Sequence, residues 1–375
     1  MRSTLLVVSG IFPPELGGPA KYLATALPLL AQHFDLLGVY TQSPVRKVDD
    51  SAHPFKVWRL RRFRPRLARM LRAILAIARL ARRADIVYGH GMMLETALAV
   101  RLLRRRRLVF KIVGDLIWER EIVSGRTALG FGEFQTARHG LRVKALRRLQ
   151  AWYVGSADAV IVPSVHLARA VAGWGIDPQR IHVVYNSVDR ADLQPTAKSF
   201  DVVSVGRLLG LKGFAPLIGL AVRRGWRLKI VGDGPERPHL EALVRECGAG
   251  PFVQLRGGVA QEQVPAEIAS ARVFVLNSIH EGLPHVVLEA HAAGTPVVAT
   301  DVGGTGEAVA HECSGLLVPS GDEAALEGAI DRILEDPEFG ARLAERGTAS
   351  LATTFSKRHM IETTAQILMG PAACG

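Results

Sequence analysis

Two cations five residues apart and two carboxylates eight residues apart are the groups in this chain best suited to do chemistry together. Arg207 and Lys212 lie in DVVSVGRLLGLKGF (201–214), where a buried strand runs into a loop and then a helix. A guanidinium and an ammonium beside a helix start suit a diphosphate, because the free backbone N–H groups there already favour negative charge. Glu281 and Glu289 bracket EGLPHVVLE. An apolar run, 271–278, precedes this stretch and AHAAGTPVVATDVGG comes after it. By period these read as a buried strand, a turn, a short helix from near Pro284, then Gly294 and a second buried strand. Glu281 then belongs to the turn and Glu289 to the helix. At about 1.5 Å per residue they stand on the order of 12 Å apart, a span suited to the two ends of an extended, phosphate-bridged ligand. The alternative is one glutamate favoured by a helix N-terminus and one unrelated surface glutamate.

The first half offers weaker candidates. LLVVSG (5–10) leads through FPPELGGPAKY into a helical stretch, so Gly17 and Gly18 could bring backbone close to a phosphate or sugar; a tight turn explains the same glycines. There is no GxGxxG fingerprint. DIVYGH (85–90) ends a strand at His90, and RRRRLVFKIVGD (104–115) ends one near Asp115. Ligands of open parallel sheets bind at the carboxyl ends of strands, so His90 and Asp115 are the acid/base candidates here. The alternatives are a turn histidine and a cap for the helix LIWERE.

The elements that must position these groups alternate. Strand and helix recur every 20 to 40 residues or so, which predicts two α/β domains with parallel sheets. The expected division is 1–190 and 191–356, joined by a linker at 190–199, with a C-terminal helix at about 357–370 packing back on the first domain. Two polar helices are expected after the strand GLLVPS (315–320), and a Gly-rich loop at 124–132. A chain of 375 residues, 48% hydrophobic with 37 glycines, has ample material for two cores. Cys247, Cys313 and Cys374 share neither metal-ligand nor disulfide spacing, which points to a reducing compartment. No run of 18 apolar residues reads as a membrane span, and the brief apolar N-terminus reads as a first strand rather than a signal peptide.

Charge is unevenly placed. Of 47 Lys+Arg and 35 Asp+Glu, residues 1–190 hold 31 and 13, a balance of +18; the rest hold 16 and 22, a balance of −6. Residues 57–83 contain ten arginines, no acid, and apolar residues at helical spacing from Leu67 on. This suits an amphipathic helix on an anionic bilayer, against the alternative of an ordinary helix with solvated arginines. No nucleic-acid-binding motif accompanies the charge, so nucleic acid is not an expected partner.

Taken together, FPPELGG, YNSVD (185–189), GRLLGLKG, IVGDGP (230–235), EGLPHVVLE and GTPVVATDVGG, in this order, resemble the retaining nucleotide-sugar glycosyltransferases of family 4 along nearly the whole chain. The resemblance implies the GT-B fold, two facing Rossmann-like domains with a deep cleft, the first binding acceptor and the second the donor. It implies that Arg207 and Lys212 hold the donor diphosphate, Glu281 the sugar hydroxyls and Glu289 the ribose. Gly282, Leu283 and Pro284 would border the sugar, Gly258 and Val259 the base, and Gly17 and Gly18 the diphosphate from the first domain. It further implies no metal or other cofactor, and transfer of a hexose from a UDP- or GDP-sugar to a sugar or lipid-linked acceptor in envelope or exopolysaccharide synthesis. Such an enzyme is expected in the cytoplasm, and the basic stretch at 57–83 adds the expectation of peripheral attachment to the inner face of the plasma membrane. Many relatives carry a first-domain histidine near the reacting carbon; His90 or Asp115 would stand in that place. A nucleotide-sugar epimerase of the same fold and a non-catalytic scaffold are the competing readings.

Overall fold

The computed structural model describes residues 2–15, 17–44, 48–62, 65–101, 106–193 and 197–370. Phe63, Arg64, Arg104, Arg105, part of the expected linker (194–196) and Cys374 therefore lie outside the described residues. The chain forms two compact units. One uses the chain up to Val184 and again from Arg358; the other is Tyr185–Lys357.

The first unit holds seven strands: β1 (Thr4–Ser9), β2 (Asp35–Ser43), β3 (Lys56–Arg61), β4 (Ile86–His90), β5 (Arg107–Lys111), β6 (Ala159–Val162) and β7 (Ile181–Val183). They pair in the order β3-β2-β1-β4-β5-β6-β7, and every pair is parallel. Unbroken buried runs such as Leu5–Val8 reflect a sheet covered on both faces. Helices Gly18–Leu30 and Lys357–Met369 cover one face, packing Leu23, Leu27, Ile361 and Leu368 against Leu5, Val7 and Val109. Helices Arg66–Ala81, Met93–Arg101 and Leu141–Gly155 form a separate layer, in which the middle one touches both others.

The second unit holds β8 (Phe200–Val205), β9 (Leu228–Val231), β10 (Val253–Gly257), β11 (Ala271–Leu276), β12 (Val297–Thr300) and β13 (Leu316–Val318), paired β10-β9-β8-β11-β12-β13, again all parallel. In each sheet the strand order reverses beside the first strand, between β1 and β4 and between β8 and β11. At such a switch point the loops on either side leave in opposite directions and open a crevice at the strands' carboxyl ends.

The two polar helices expected after β13 are Glu323–Glu335 and Pro337–Ser350, followed by the expected C-terminal helix, Lys357–Met369. Two local readings change. Residues 56–61, where the basic stretch begins, form edge strand β3, whose Val57, Trp58, Arg59 and Leu60 are half-buried, while the helix starts at Arg66, in step with the helical spacing from Leu67 on. Within the Gly-rich segment, Phe131 starts a short helix, Phe131–Thr136, that buries Phe131 and Phe134.

Candidate functional site

Around the switch point of the second sheet, the sequence assembles a site from five strand exits. After β8 the chain passes Arg207, makes a single tight turn at Gly210–Lys212, and enters helix Phe214–Arg224 through Gly213 in the left-handed region (φ 63°). Glycine is required there: a Cβ would collide with the backbone oxygen of Asn277. Asn277 Nδ2 donates to the Gly213 carbonyl at 3.1 Å, and the Ile279 amide donates to the Leu211 carbonyl at 2.9 Å. The exit of β8 is thus tied to the exit of β11, which carries Glu281.

The side chains complete the junction. Lys212 Nζ donates to Glu281 Oε1, and Ser278 Oγ donates to the same oxygen at 2.6 Å. The Ser278 carbonyl accepts from Thr300 Oγ1 at 2.5 Å, linking the exit of β12. From that side, Gly303 (φ 59°) packs under the Glu281 backbone where a Cβ would strike its carbonyl, and the Gly304 amide donates to that carbonyl at 2.9 Å. Glu281 Oε2 makes no hydrogen bond among the described residues, and neither does the exposed Arg207 guanidinium. A cation and a carboxylate oxygen therefore remain uncommitted beside one ion pair.

Glu289 lies four residues into helix His285–Ala292, which Pro284 precedes as N-cap. Glu281 is outside the helix, so the helical rise applies only from His285 on, and the 12 Å sequence estimate does not describe the pair. Glu289 is 6% exposed, and Gln261 Nε2 donates to its Oε1 at 2.7 Å. Gln261 comes after Gly258 and Val259 in the exit of β10, so the predicted base-side turn meets the predicted ribose carboxylate through a residue the sequence reading missed. An amide beyond a Gly-Gly turn has no pattern of its own. Leu283 and Pro284 are buried, whereas Gly282 is half-exposed. The glycines of IVGDGP serve packing: a Cβ on Gly232 would strike the Gly206 carbonyl and one on Gly234 the Leu208 backbone.

In the first unit, Gly17 and Gly18 are exposed at the start of helix Gly18–Leu30, across the switch point from His90 at the end of β4. His90 is 3% exposed and stacks on Tyr22 at 5.1 Å with 11° between the rings. Neither ring nitrogen has a hydrogen-bond partner among the described residues. Burial, and next the charge of Lys111, push its pKa down to about 3. Lys111, itself buried, places Nζ 3.6 Å from the Tyr22 ring centroid, and burial lowers its pKa to about 7.

Asp115 departs from its predicted acid/base role. It is fully buried and caps helix Leu116–Val123: Oδ1 accepts from the amides of Ile117 (2.9 Å) and Trp118 (3.3 Å), while Oδ2 accepts from Gln135 Nε2 at 3.0 Å. With both oxygens engaged, the capping alternative accounts for it. Asp115→Ala should lower the stability of this unit by about 2–3 kcal/mol, the sum of a lost cap and stranded buried donors. Urea unfolding monitored by Trp fluorescence measures this; unchanged stability with lost activity would return Asp115 to the chemistry.

Residues 187–350 match the family model described as Glycosyl transferases group 1, and residues 16–192 match the one described as Glycosyltransferase Family 4. The chain belongs to glycosyltransferase family 4. Relatives include the lipopolysaccharide core biosynthesis glycosyltransferases LpsD and LpsE of Rhizobium meliloti. LpsD is 40% identical over 53% of this chain and 59% of its own length; LpsE is 34% identical over 58% and 65%. The matches thus span about three-fifths of those relatives. Among solved structures, sucrose-phosphate synthase from Thermosynechococcus elongatus superposes with a TM-score of 0.81 at 21% identity over 98% of both chains. Anabaena HepE in complex with UDP and glucose gives 0.80 at 20% identity, over 99% of this chain and 100% of that one. These likenesses establish the two-sheet GT-B fold of this family-4 member.

Proposed function

We propose that the protein is a retaining glycosyltransferase that moves a hexose from a UDP- or GDP-sugar to an acceptor hydroxyl, with the second unit binding donor and the first acceptor. The observation that carries this is the Arg207–Lys212 loop locked against the Glu281 loop at the switch point of the second sheet. Arg207 and Lys212 take the diphosphate, Glu281 the sugar hydroxyls, and Glu289, held by Gln261, the ribose. HepE has been solved with UDP-glucose, and LpsD and LpsE are named for lipopolysaccharide core synthesis; these support a nucleotide-sugar donor and an envelope glycan or lipid-linked acceptor.

In the reaction, the acceptor oxygen bonds to the anomeric carbon on the face the nucleotide leaves. The bond from that carbon to the β-phosphate oxygen breaks, and the acceptor proton passes to the departing phosphate. Positive charge grows on the sugar ring and negative charge on the diphosphate, where the Arg207 guanidinium and the Lys212 ammonium, shared with or exchanged from Glu281 on donor binding, stabilise it. No metal is assigned to the reaction. The test is nucleotide release from a panel of UDP- and GDP-hexoses, with and without deacylated lipopolysaccharide core acceptors, and the product anomer read by NMR. Acceptor-dependent release with the anomeric configuration kept is expected. Conversion of the donor to an epimer without acceptor would favour the isomerase, and an inverted anomer would overturn the mechanism.

A further inference from the structure

We propose that the layer of helices Arg66–Ala81, Met93–Arg101 and Leu141–Gly155 docks the first unit on an anionic lipid bilayer. Helix Arg66–Ala81 has two apolar stripes. Ala73, Ile77 and Ala81 face the core. Leu67, Leu71 and Leu75, spaced four apart and therefore on one side of the helix, are 64%, 52% and 67% exposed. Leucine is costly to leave in water relative to burial, and nothing in the core needs this row.

Helix Leu141–Gly155 repeats the arrangement. Leu141, Leu149 and Trp152 are 87%, 39% and 37% exposed, at positions i, i+8 and i+11 of one face. Both helices pack on Met93–Arg101 and so belong to one layer. Arg101 of that central helix lies 5.5 Å from the Trp152 ring centroid, an aromatic-and-arginine pair suited to the headgroup region. Exposed Arg72 and Arg79 border the first leucine row, and exposed Lys144 and Arg148 the second. Glu95 is the one acidic residue in the three helices.

Charge decides the occupant. A second copy docking through the same face would set arginines against arginines with no carboxylates between them. Nucleic acid would use the cations and leave two rows of leucine wet. A bilayer of anionic lipids satisfies both, with headgroups on the cations and acyl chains on the leucines. This goes beyond the transferase reading and does not depend on it, since binding needs no donor.

The experiment is co-sedimentation of the full chain with vesicles of phosphatidylglycerol and phosphatidylcholine, against vesicles of phosphatidylcholine alone, at low and high salt. Binding to the anionic vesicles that falls with salt is expected, along with a further drop of at least about tenfold in the Leu71→Glu/Leu75→Glu variant. Leu149→Glu/Trp152→Glu should lose a comparable factor, showing that both helices touch lipid. Urea midpoints of these exposed-site variants should match the parent. No binding to anionic vesicles would overturn the proposal, as would salt-sensitive binding indifferent to the leucines. A parent dimer that the leucine variants convert to monomer would assign the face to a second copy instead.

Discussion

Lys212→Ala is expected to lower kcat by about two to three orders of magnitude while the protein stays folded. The size reflects the loss of one preorganised charge at the position where diphosphate charge develops, about 2.7–4 kcal/mol of transition-state stabilisation. Lys212 reaches Glu281 Oε1 in the ligand-free protein, so donor binding must share or exchange that ion pair for phosphate oxygens. The pair is partly exposed, with 24% and 11% of the two side chains accessible, and screening limits its worth to folding to about 1 kcal/mol. Arg207→Ala is the cleaner companion, because Arg207 has no hydrogen bond or ion pair among the described residues and its removal strands nothing. Single-turnover transfer gives the chemical step, and donor titration separates binding from it. A loss confined to KM would show that the cations grip ground and transition states equally. Unchanged turnover in either variant would remove the diphosphate assignment.

Sequence patterns reached this site because the site is made at strand exits, where pattern and spacing are local. A buried run such as Val202–Val205 or Val273–Leu276 ends abruptly, and the loop leaving each strand is short enough to keep Arg207, Lys212 and Glu281 near the switch point. The spatial pairings were not legible. Ser278 and Lys212 meet on one oxygen of Glu281 only because β8 and β11 are neighbours in the sheet, and Gln261 reaches Glu289 across 28 residues of chain. Asp115 failed in a different way. A carboxylate at a strand's end and a carboxylate at a helix's start are the same residue in this fold, so burial and hydrogen-bond geometry had to decide between them. The strand at 56–61 was hidden because its arginines read as continuous with the helix after it; an edge strand exposes one side and tolerates such charge.

Acid should weaken both units at once. His90 in the first unit and His291 in the second are buried and neutral, with burial the leading cause in each; their pKa values fall from 6.5 to about 3 and about 4. His291 Nε2 meets the Ala308 carbonyl at 3.2 Å, while Nδ1 has no hydrogen-bond partner among the described residues and faces Gly347, where no larger residue fits. His90 is faced by the Tyr22 and Tyr88 rings, which enclose it, and by Lys111, whose charge opposes a second one. Unfolded histidine takes its proton near 6.5, before the folded one does, so the unfolded state binds more protons between 6.5 and 3 to 4. Stability is therefore indifferent to these groups above pH 6.5 and falls as pH drops below it, by about 1.4 kcal/mol per unit for each histidine. At pH 5 each unit should be weaker by about 2 kcal/mol than at pH 7. Lys111 adds a slope on the other side: its folded pKa of about 7 lies below the ordinary 10.5, so the cost of its buried charge is constant below 7 and relieved as pH rises from there. The first unit should consequently gain stability towards pH 9 while the second levels off. Urea midpoints at pH 5, 6, 7.5 and 9 test this, with His291→Gln expected to flatten the acid limb of the second unit and leave that of the first. Equal slopes in parent and variant would mean that His291 is protonated in the folded protein, and that water reaches a residue the packing shows as fully enclosed.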